Sequence, residues 1–496
     1  ATKPDLVLAS GYLFNQERLL EVLQLFHHHH PEIPIVLGGP NYLGDNRQFL
    51  EKHPEIKLVV RGEENSLETI LDKNWEAVPG GCTMIHQAGE VRYIDNGLAR
   101  INAKVLDEFV PSPYREEYLP HDKVFYQLET ARGCESNCCF CTSARTVSGG
   151  VRFFSYERVR SDLQALYRHG FREIRVLDRT FNQPPERCIT LLQLFREEFP
   201  EVRFHLEIDP GRMTPEVVAE FHHANPGQLH LECGIQTFNP DVLHRLKRAA
   251  ASRQMYEGIC QLIDCKLFEV HTDLIAGLPG VTREMLLQDI RKLLTINPNE
   301  IQLELLKILP GTPLAMALPP EFIVEPNPPF TVLASDVMSC TELLEAAHWS
   351  RVLDGYFNHP RLHAVFQHAT QCDEMFLESF FCFTRSAYDA FQIGQLPLEK
   401  RFELMEKFGI SNNWLQFAAL MANVPLKSLP PLEKIPEDYE RLPLLWHKDG
   451  VCSRSVRRCC RLYLSEKVME PFSGSGWYLF GMYYGRMVGE IRFFKK

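Results

Sequence analysis

The sequence predicts an α/β protein in three parts: a partial Rossmann-like domain over residues 1–78, an incomplete (βα)6 barrel over 123–318, and a mostly helical C-terminal domain over 319–496. Three observations predict it. Short apolar runs alternate with helical patterns in residues 1–73, and the alternation resumes through six units between 124 and about 310. Beyond 333 the apolar residues recur instead at the 3.6-residue period of helices, as in Cys340 to Ala347 and Glu399 to Phe408. Apolar strands separated by helices argue for parallel sheets, and ligands of such sheets sit beyond the carboxyl ends of the strands.

In the first part the strands are Leu6–Ser10, Ile35–Val36–Leu37 and Lys57–Arg61. Helices are expected at about 16–30, 48–53 and from Gly62 to Leu71. The turns at the strand ends carry Ser10, Gly38, Gly39 and Gly62, and glycine there permits close backbone approach to a ligand. His27 to His30 fan around a helix end, so they do not share the one face a metal site needs. Residues 79–122 read as a linker, with a small hairpin near Thr83 to Tyr93.

The barrel strands are expected near 124–130, 173–178, 202–208, 229–235, 268–275 and 301–307. Helices are expected between them, near 156–169, 185–199, 214–223, 239–265 and 282–295. Directly after the first strand comes Glu129-Thr-Ala-Arg-Gly-Cys134-Glu-Ser-Asn-Cys138-Cys-Phe-Cys141, a C-x3-C-x2-C loop with Phe140 before the last cysteine. Thiolates select soft metals and iron–sulfur clusters. A cubane held only by protein takes four cysteines, so three leave one iron open. The spacing also suits half of a zinc site, which would need a fourth Cys or His ligand. Cys139 lies outside the pattern and reads as a packed thiol.

With these residues in place, the sequence resembles the radical S-adenosylmethionine (SAM) enzymes of the cobalamin-binding class. The resemblance covers residues 3–312 and rests on the cysteine loop and five further matches in order: Leu177-Asp-Arg-Thr-Phe-Asn182, His205-Leu-Glu-Ile-Asp-Pro210, Glu232-Cys-Gly-Ile-Gln-Thr-Phe238, Asp273-Leu-Ile-Ala-Gly-Leu-Pro-Gly280 and Leu309-Pro-Gly-Thr312. It implies that Cys134, Cys138 and Cys141 hold a 4Fe-4S cluster whose open iron chelates SAM. One electron then yields a 5′-deoxyadenosyl radical that abstracts hydrogen from an unactivated carbon, with cobalamin-dependent methyl transfer as a further step. It places Phe140, Asp178, Glu232, Gln236, Arg248, Gly277 and Leu309 around SAM, with Asp178 at its amino group, Arg248 at its carboxylate, and Gly277 and Gly280 leaving room for adenine. It places Ser10, Gly38, Gly39 and Gly62 around the nucleotide tail of the corrinoid. The first two strands of such a cobalamin domain and its D-x-H-x-x-G loop are not in the chain, so the beginning of that domain is expected to be missing. Ring formation or rearrangement without methyl transfer, and a non-catalytic scaffold that keeps the fold, are the alternative readings.

The partners implied are a small-molecule substrate and an electron donor such as flavodoxin or ferredoxin. A net charge of −11 makes a nucleic-acid backbone a poor partner. No apolar run reaches the ~18 residues of a membrane span, and no signal peptide precedes the first strand. Fifteen cysteines without framework spacing read as a reducing, cytoplasmic setting. The proline-dense stretch Pro319 to Pro329 ends the barrel, and a second proline-rich hinge is expected at Val424 to Pro436. The last segment combines a basic run, Arg454 to Arg461, with a terminal hairpin at Trp477 and Glu490. The spacings of Cys372, Cys382, Cys452, Cys459 and Cys460 match no ligand pattern.

Overall fold

The computed structural model describes residues 4–87, 90–102, 105–120, 122–248, 252–387 and 395–410, Leu415, Ala419, and three strands within 456–495. The hinge expected at Val424 to Pro436, and Cys452 and Arg454, lie outside the described residues. The chain divides into two compact units, Ala1–Arg291 with Glu304–Leu344, and Lys292–Leu303 with Glu345–Lys496.

The first unit opens with a five-stranded sheet in which β1 (Val7–Ser10), β2 (Ile35–Gly38) and β3 (Ile56–Val60) run parallel. β2 is apolar on consecutive positions because both its faces are covered. Ile35 and Leu37 pack with Leu23 and Leu50 of the helices Gln16–His29 and Arg47–Lys52, and Val36 packs on the other side with Leu58 and Ile70. Two expectations are corrected here. The hairpin near Thr83 is not part of a linker: β4 (Gly81–Gln87) pairs antiparallel with β3, β5 (Glu90–Asp95) pairs with β4, and both complete the sheet. The N-terminal sheet therefore runs past residue 78 to Asp95. The third helix does not open at Gly62 but spans Leu67–Leu71. Residues before it are held as a turn because the Glu63 carboxylate accepts from the Ile101 N–H at 2.5 Å and pairs with Arg152 at 2.6 Å.

The barrel strands are β6 (Tyr126–Leu128), β9 (Glu173–Val176), β10 (Arg203–Ile208), β11 (Leu229–Gln236), β12 (Glu269–Ala276) and β13 (Glu300–Leu305), with a short pair β7 (Ala131–Arg132) and β8 (Arg152–Phe153) after the first. The sheet order β13-β12-β11-β10-β9-β6 is that of an open, six-stranded parallel barrel. Alternation along the strands splits the residues into two faces. Phe204, Leu206, Leu231, Cys233, Ile235, Val270 and Leu274 are buried on one face, where Phe195 of the helix Pro185–Glu198 stacks on Phe204 at 3.8 Å between centroids. The other face carries His205, Glu207, His230, Glu232, Gly234, Gln236, His271 and Asp273. A barrel filled by side chains has an apolar lumen; this polar lumen leaves a cavity.

The single helix expected over 239–265 is two, Pro240–Arg245 and Ser252–Asp264. The first ends at Leu246, and Lys247 takes a left-handed φ of 56°. Within the second, Gly258 is fixed by contact: a Cβ there would collide with the Pro210 carbonyl oxygen. Alanine in place of a mid-helix glycine ordinarily stabilises by ~1 kcal/mol, but overpacking costs ~1–3 kcal/mol. Gly258→Ala is therefore expected to destabilise by about 2 kcal/mol, read as a lower urea midpoint with unchanged slope. After the barrel, β14 (Ile323–Val324) pairs with β15 (Val332–Ala334), so the proline-dense stretch is a small hairpin rather than an open linker.

The second unit packs the helices His363–Cys372, Phe376–Ala387 and Leu398–Phe408 around Phe366, Phe376, Phe380 and Phe402. Its last strands, β16 (Val456–Leu464), β17 (Gly476–Tyr484) and β18 (Gly489–Lys495), form an antiparallel meander. The expected terminal hairpin is thus three-stranded, with the basic run from Val456 on in its first strand. Cys459 and Cys460 lie on that strand, and Cys372 and Cys382 are exposed.

Candidate active site

Beyond the carboxyl ends of the barrel strands lies a cavity of about 420 Å3. Cys134, Cys138 and Cys141 line it together with Phe140, Glu232, Gln236, Arg248 and Leu309, so eight of the expected site residues share one space. The loop that carries the cysteines is anchored at both flanks. Asp178, at the end of β9, accepts from the Thr130 and Ala131 N–H groups at 2.8 Å each and from the Thr130 hydroxyl. On the far side the Cys139 N–H donates to Leu246 O at 3.1 Å, and Cys139 O accepts from the Leu314 N–H at 2.9 Å. Cys139 is thereby a backbone anchor, and its thiol is not in the cavity lining.

The three thiols are surrounded by donors. The Ser136 N–H lies 3.4 Å from Cys134 Sγ and the Ser143 N–H 3.4 Å from Cys141 Sγ, while the Thr180 hydroxyl, which donates to Arg179 O at 2.7 Å, stands 3.4 Å from Cys134 Sγ. Such hydrogen bonds tune the potential of a cluster. Burial pushes Cys138 up to about 11, opposed by Arg248, whose Nη1 stands 4.0 Å from the sulfur. Burial likewise raises Cys141. A bound metal reverses this by deprotonating the thiols. Among the described residues no three His, Cys, Asp or Glu side chains stand close enough to share one metal ion. A tetrahedral zinc would require its sulfurs only ~3.8 Å apart, from Zn–S bonds of ~2.3 Å. A cubane takes each thiolate at a different corner, and three cysteines around one cavity suit that arrangement.

The Glu232 carboxylate accepts from His205 Nε2 at 2.8 Å, and this bond is the main reason its carboxyl is held below the ordinary range. Arg248 donates to Gly234 O within the same wall. Gln236 follows a bulge between β11 and β12 and carries a left-handed φ of 69°, with its side-chain oxygen buried and unpartnered. Backbone strain of this kind concentrates at functional sites.

Five of the expected residues are engaged elsewhere. Asp178 is buried outside the cavity and is spent on the Thr130–Ala131 backbone, so it cannot reach a SAM amino group. Gly277 faces Leu343, whose Cδ2 would lie 3.2 Å from a Cβ there, and Gly280 faces Arg245, so neither lines the cavity. Ser10, Gly38, Gly39 and Gly62 do fall at the carboxyl ends of β1, β2 and β3. Yet the room at Gly39 is taken by Gly11 O and Ser10 Oγ, 2.5 and 2.8 Å from a Cβ at that position, and the room at Gly62 by the Ala99 carbonyl. The absence of a side chain at those two glycines is thus taken up by close packing of the chain on itself.

Sequence reasoning missed Glu207, Asp209, Asp273, Arg179 and Thr180 in the lining. For Glu207 the signal was available, since it pairs with Glu232 across adjacent parallel strands. Burial pushes Glu207 up to about 7, against the pull of Arg179 at 2.8 Å.

The open parallel barrel thus brings three cysteines and a row of polar groups to one cavity at its mouth. Residues 128–293, which include the cysteine loop and the barrel strands β9 to β12, match the family model described as the Radical SAM superfamily. The chain is 26% identical over 341 residues to the cobalamin-dependent radical SAM methyltransferase TokK of Streptomyces tokunonensis, covering 63% of this chain and 48% of that protein. It is 25% identical over 337 residues to the 2-(S-pantetheinyl)-carbapenam-3-carboxylate methyltransferase of Streptantibioticus cattleyicolor, again over 63% and 48%. The chain thus spans about half the length of the curated relatives it matches. Its fold is similar to the solved radical SAM methyltransferase TsrM from Kitasatospora setae, with a TM-score of 0.53 at 14% identity over 68% of this chain and 70% of that one.

Proposed function

We propose that the chain is a radical SAM enzyme acting on a small molecule, with Cys134, Cys138 and Cys141 as ligands of a 4Fe-4S cluster and SAM bound beside it in the same cavity. The observation that carries this reading is the convergence of three cysteines with Glu232, Gln236 and Arg248 on one space. When bound, the cluster and SAM would supply reductive sulfonium cleavage and hydrogen abstraction, and a corrinoid would supply the methyl group of the methyl-transfer form. The chain's own part is to bind, orient and shield. Arg248 offers a guanidinium suited to a carboxylate, Glu232 and Gln236 suit ribose hydroxyls or an ammonium, and Leu309 and Phe140 give apolar surface for adenine. Cobalamin-dependent methyl transfer is the finer proposal: both relatives are named as methyltransferases, and the first as a cobalamin-dependent one. The electron would come from a donor such as flavodoxin or ferredoxin, in the cytoplasm. Among the described residues no helix is long and apolar enough to cross a membrane.

The test is anaerobic iron–sulfur reconstitution of the full chain followed by SAM and dithionite. Formation of 5′-deoxyadenosine is the expected result, and an iron-loaded chain that leaves SAM intact would point to a scaffold. Titration with hydroxocobalamin, read by the corrinoid spectrum of the protein fraction, tests the finer proposal: retention of about one corrinoid per chain supports it, and none contradicts it.

A further inference from the structure

The lumen of the barrel holds a histidine row that the cysteine loop and the cavity lining do not account for. His205 on β10 and His230 on β11 face each other with Nδ1 atoms 3.0 Å apart and rings edge to face at 4.8 Å between centroids. His205 turns its other nitrogen, Nε2, to Glu232 at 2.8 Å. On β12, His271 stacks on His230 at 6.1 Å between centroids and approaches Asp273 Oδ1 at 3.1 Å. Two cavity carboxylates on neighbouring strands are each backed by a histidine, and both histidines flank the same third ring.

The proton positions follow from the chemistry. An ionised carboxylate only accepts hydrogen bonds, so with Glu232 ionised the His205 Nε2 carries hydrogen. The remaining nitrogen of His205 then meets His230 Nδ1, and one of the two must donate. Burial and the two neighbouring histidines push His230 down to about 4, so this ring is neutral and can serve as either partner. A neutral third group that fixes the orientation of a histidine, which in turn orients a working side chain, is a recurrent second layer behind ligand sites.

We infer that His205, held from behind by His230, is a positioning residue for the SAM site: it fixes the Glu232 carboxylate in the orientation that meets SAM. The inference rests on the SAM reading of the cavity given above. The other charged groups around the pair are Glu207 on β10, Asp273 and His271 on β12, Arg179 after β9, Arg203 at the start of β10 and Arg248 after β11. Of these, Arg179 is committed to Glu207 at 2.8 Å and Arg248 to Gly234 O, which leaves His205 as the side chain that hydrogen-bonds Glu232 among the described residues.

Equilibrium dialysis of radiolabelled SAM against the anaerobically reconstituted full chain tests this, with iron content and thermal midpoint measured for every variant. His205→Ala is expected to weaken SAM binding about tenfold, the worth of a charge-assisted hydrogen bond that orders a ligand group. His205→Gln is expected to return to within about threefold of wild type, because its amide donates from a similar place. His205→Met fills the space without a donor and is expected to behave like the alanine variant, so it decides the matter if alanine costs the fold. His205→Ala or His205→Met binding SAM as wild type does would overturn the inference, as would a glutamine variant no better than methionine at equal iron content. Glu232→Gln with wild-type affinity would overturn it by another route. Iron-loaded wild type with no SAM affinity removes the functional reading itself, and that result is distinct from a defect confined to the His205 variants.

Discussion

Cys134→Ala is expected to leave the reconstituted protein unable to hold its cluster, with SAM cleavage at background. The thiol is buried at the cavity wall, and the Ser136 N–H and Thr180 hydroxyl both lie 3.4 Å from its sulfur. Two controls separate ligand loss from damage to the loop. Cys139→Ala should keep wild-type iron and activity, since only the backbone of Cys139 is engaged, with Leu246 and Leu314. Thr180→Val removes a neighbour of the sulfur rather than the sulfur, and a change of about tenfold or less is expected. Iron and sulfide analysis with 5′-deoxyadenosine as the product readout gives all three. Equal iron in Cys134→Ala and wild type would contradict the ligand assignment.

Asp178→Ala is expected to have the largest effect on stability. A fully buried carboxylate that accepts two backbone N–H groups and a hydroxyl leaves three donors stranded when it is removed. That costs about 3 kcal/mol, and the loss falls on the strand end from which the cysteine loop departs. Asp178→Asn should be tolerated to within ~1 kcal/mol, because Oδ1 alone accepts both N–H groups and the amide can donate to the Thr130 oxygen. Burial pushes the Asp178 carboxyl up to about 6, above the ordinary aspartate value of ~3.9. The folded state therefore binds the extra proton more tightly than the unfolded state. Its contribution to stability is fully present below about pH 4 and is lost as pH rises through about 6. The difference between the wild-type and Asp178→Asn stability curves should slope across that window and be flat on either side, measured by urea unfolding.

The barrel was legible because its strand ends carry two kinds of information at once. The apolar alternation marks the strand, and the acids, glycines and prolines that follow mark where it stops. Cys134, Cys138 and Cys141 stood out because packing requires no such spacing, and Glu232, Gln236 and Arg248 because they lie in or shortly after the ordered matches that carry the resemblance; the structure brings all six to one cavity. Asp178 was not: a strand-end aspartate has the same sequence signature whether it binds a ligand or holds a neighbouring backbone, and only the positions of the Thr130 and Ala131 N–H groups decide between them. Gly277 and Gly280 mislead for a related reason, since a glycine reports that something comes close without saying whether it is a ligand, Leu343 or Arg245. The hairpin near Thr83 to Tyr93 was legible, but its place in the N-terminal sheet was not, because Glu90–Asp95 is largely exposed at the sheet edge and it is the pairing of β4 with β3 that ties the hairpin to the parallel strands. Glu207 and Asp273 stand out as cavity groups once adjacent parallel strands are aligned, since Glu207 pairs with Glu232 and Asp273 with Gly234 and every second side chain falls on one face.

The central claim is that the three thiolates hold a cluster with one iron left open to SAM. Low-temperature electron paramagnetic resonance of the reduced, reconstituted full chain, recorded with and without SAM, tests it most directly. The account predicts one reduced 4Fe-4S signal per chain, shifted when SAM is added and absent in Cys134→Ala. A signal that SAM leaves unchanged, or a chain that takes up zinc in place of iron at one equivalent, would contradict it.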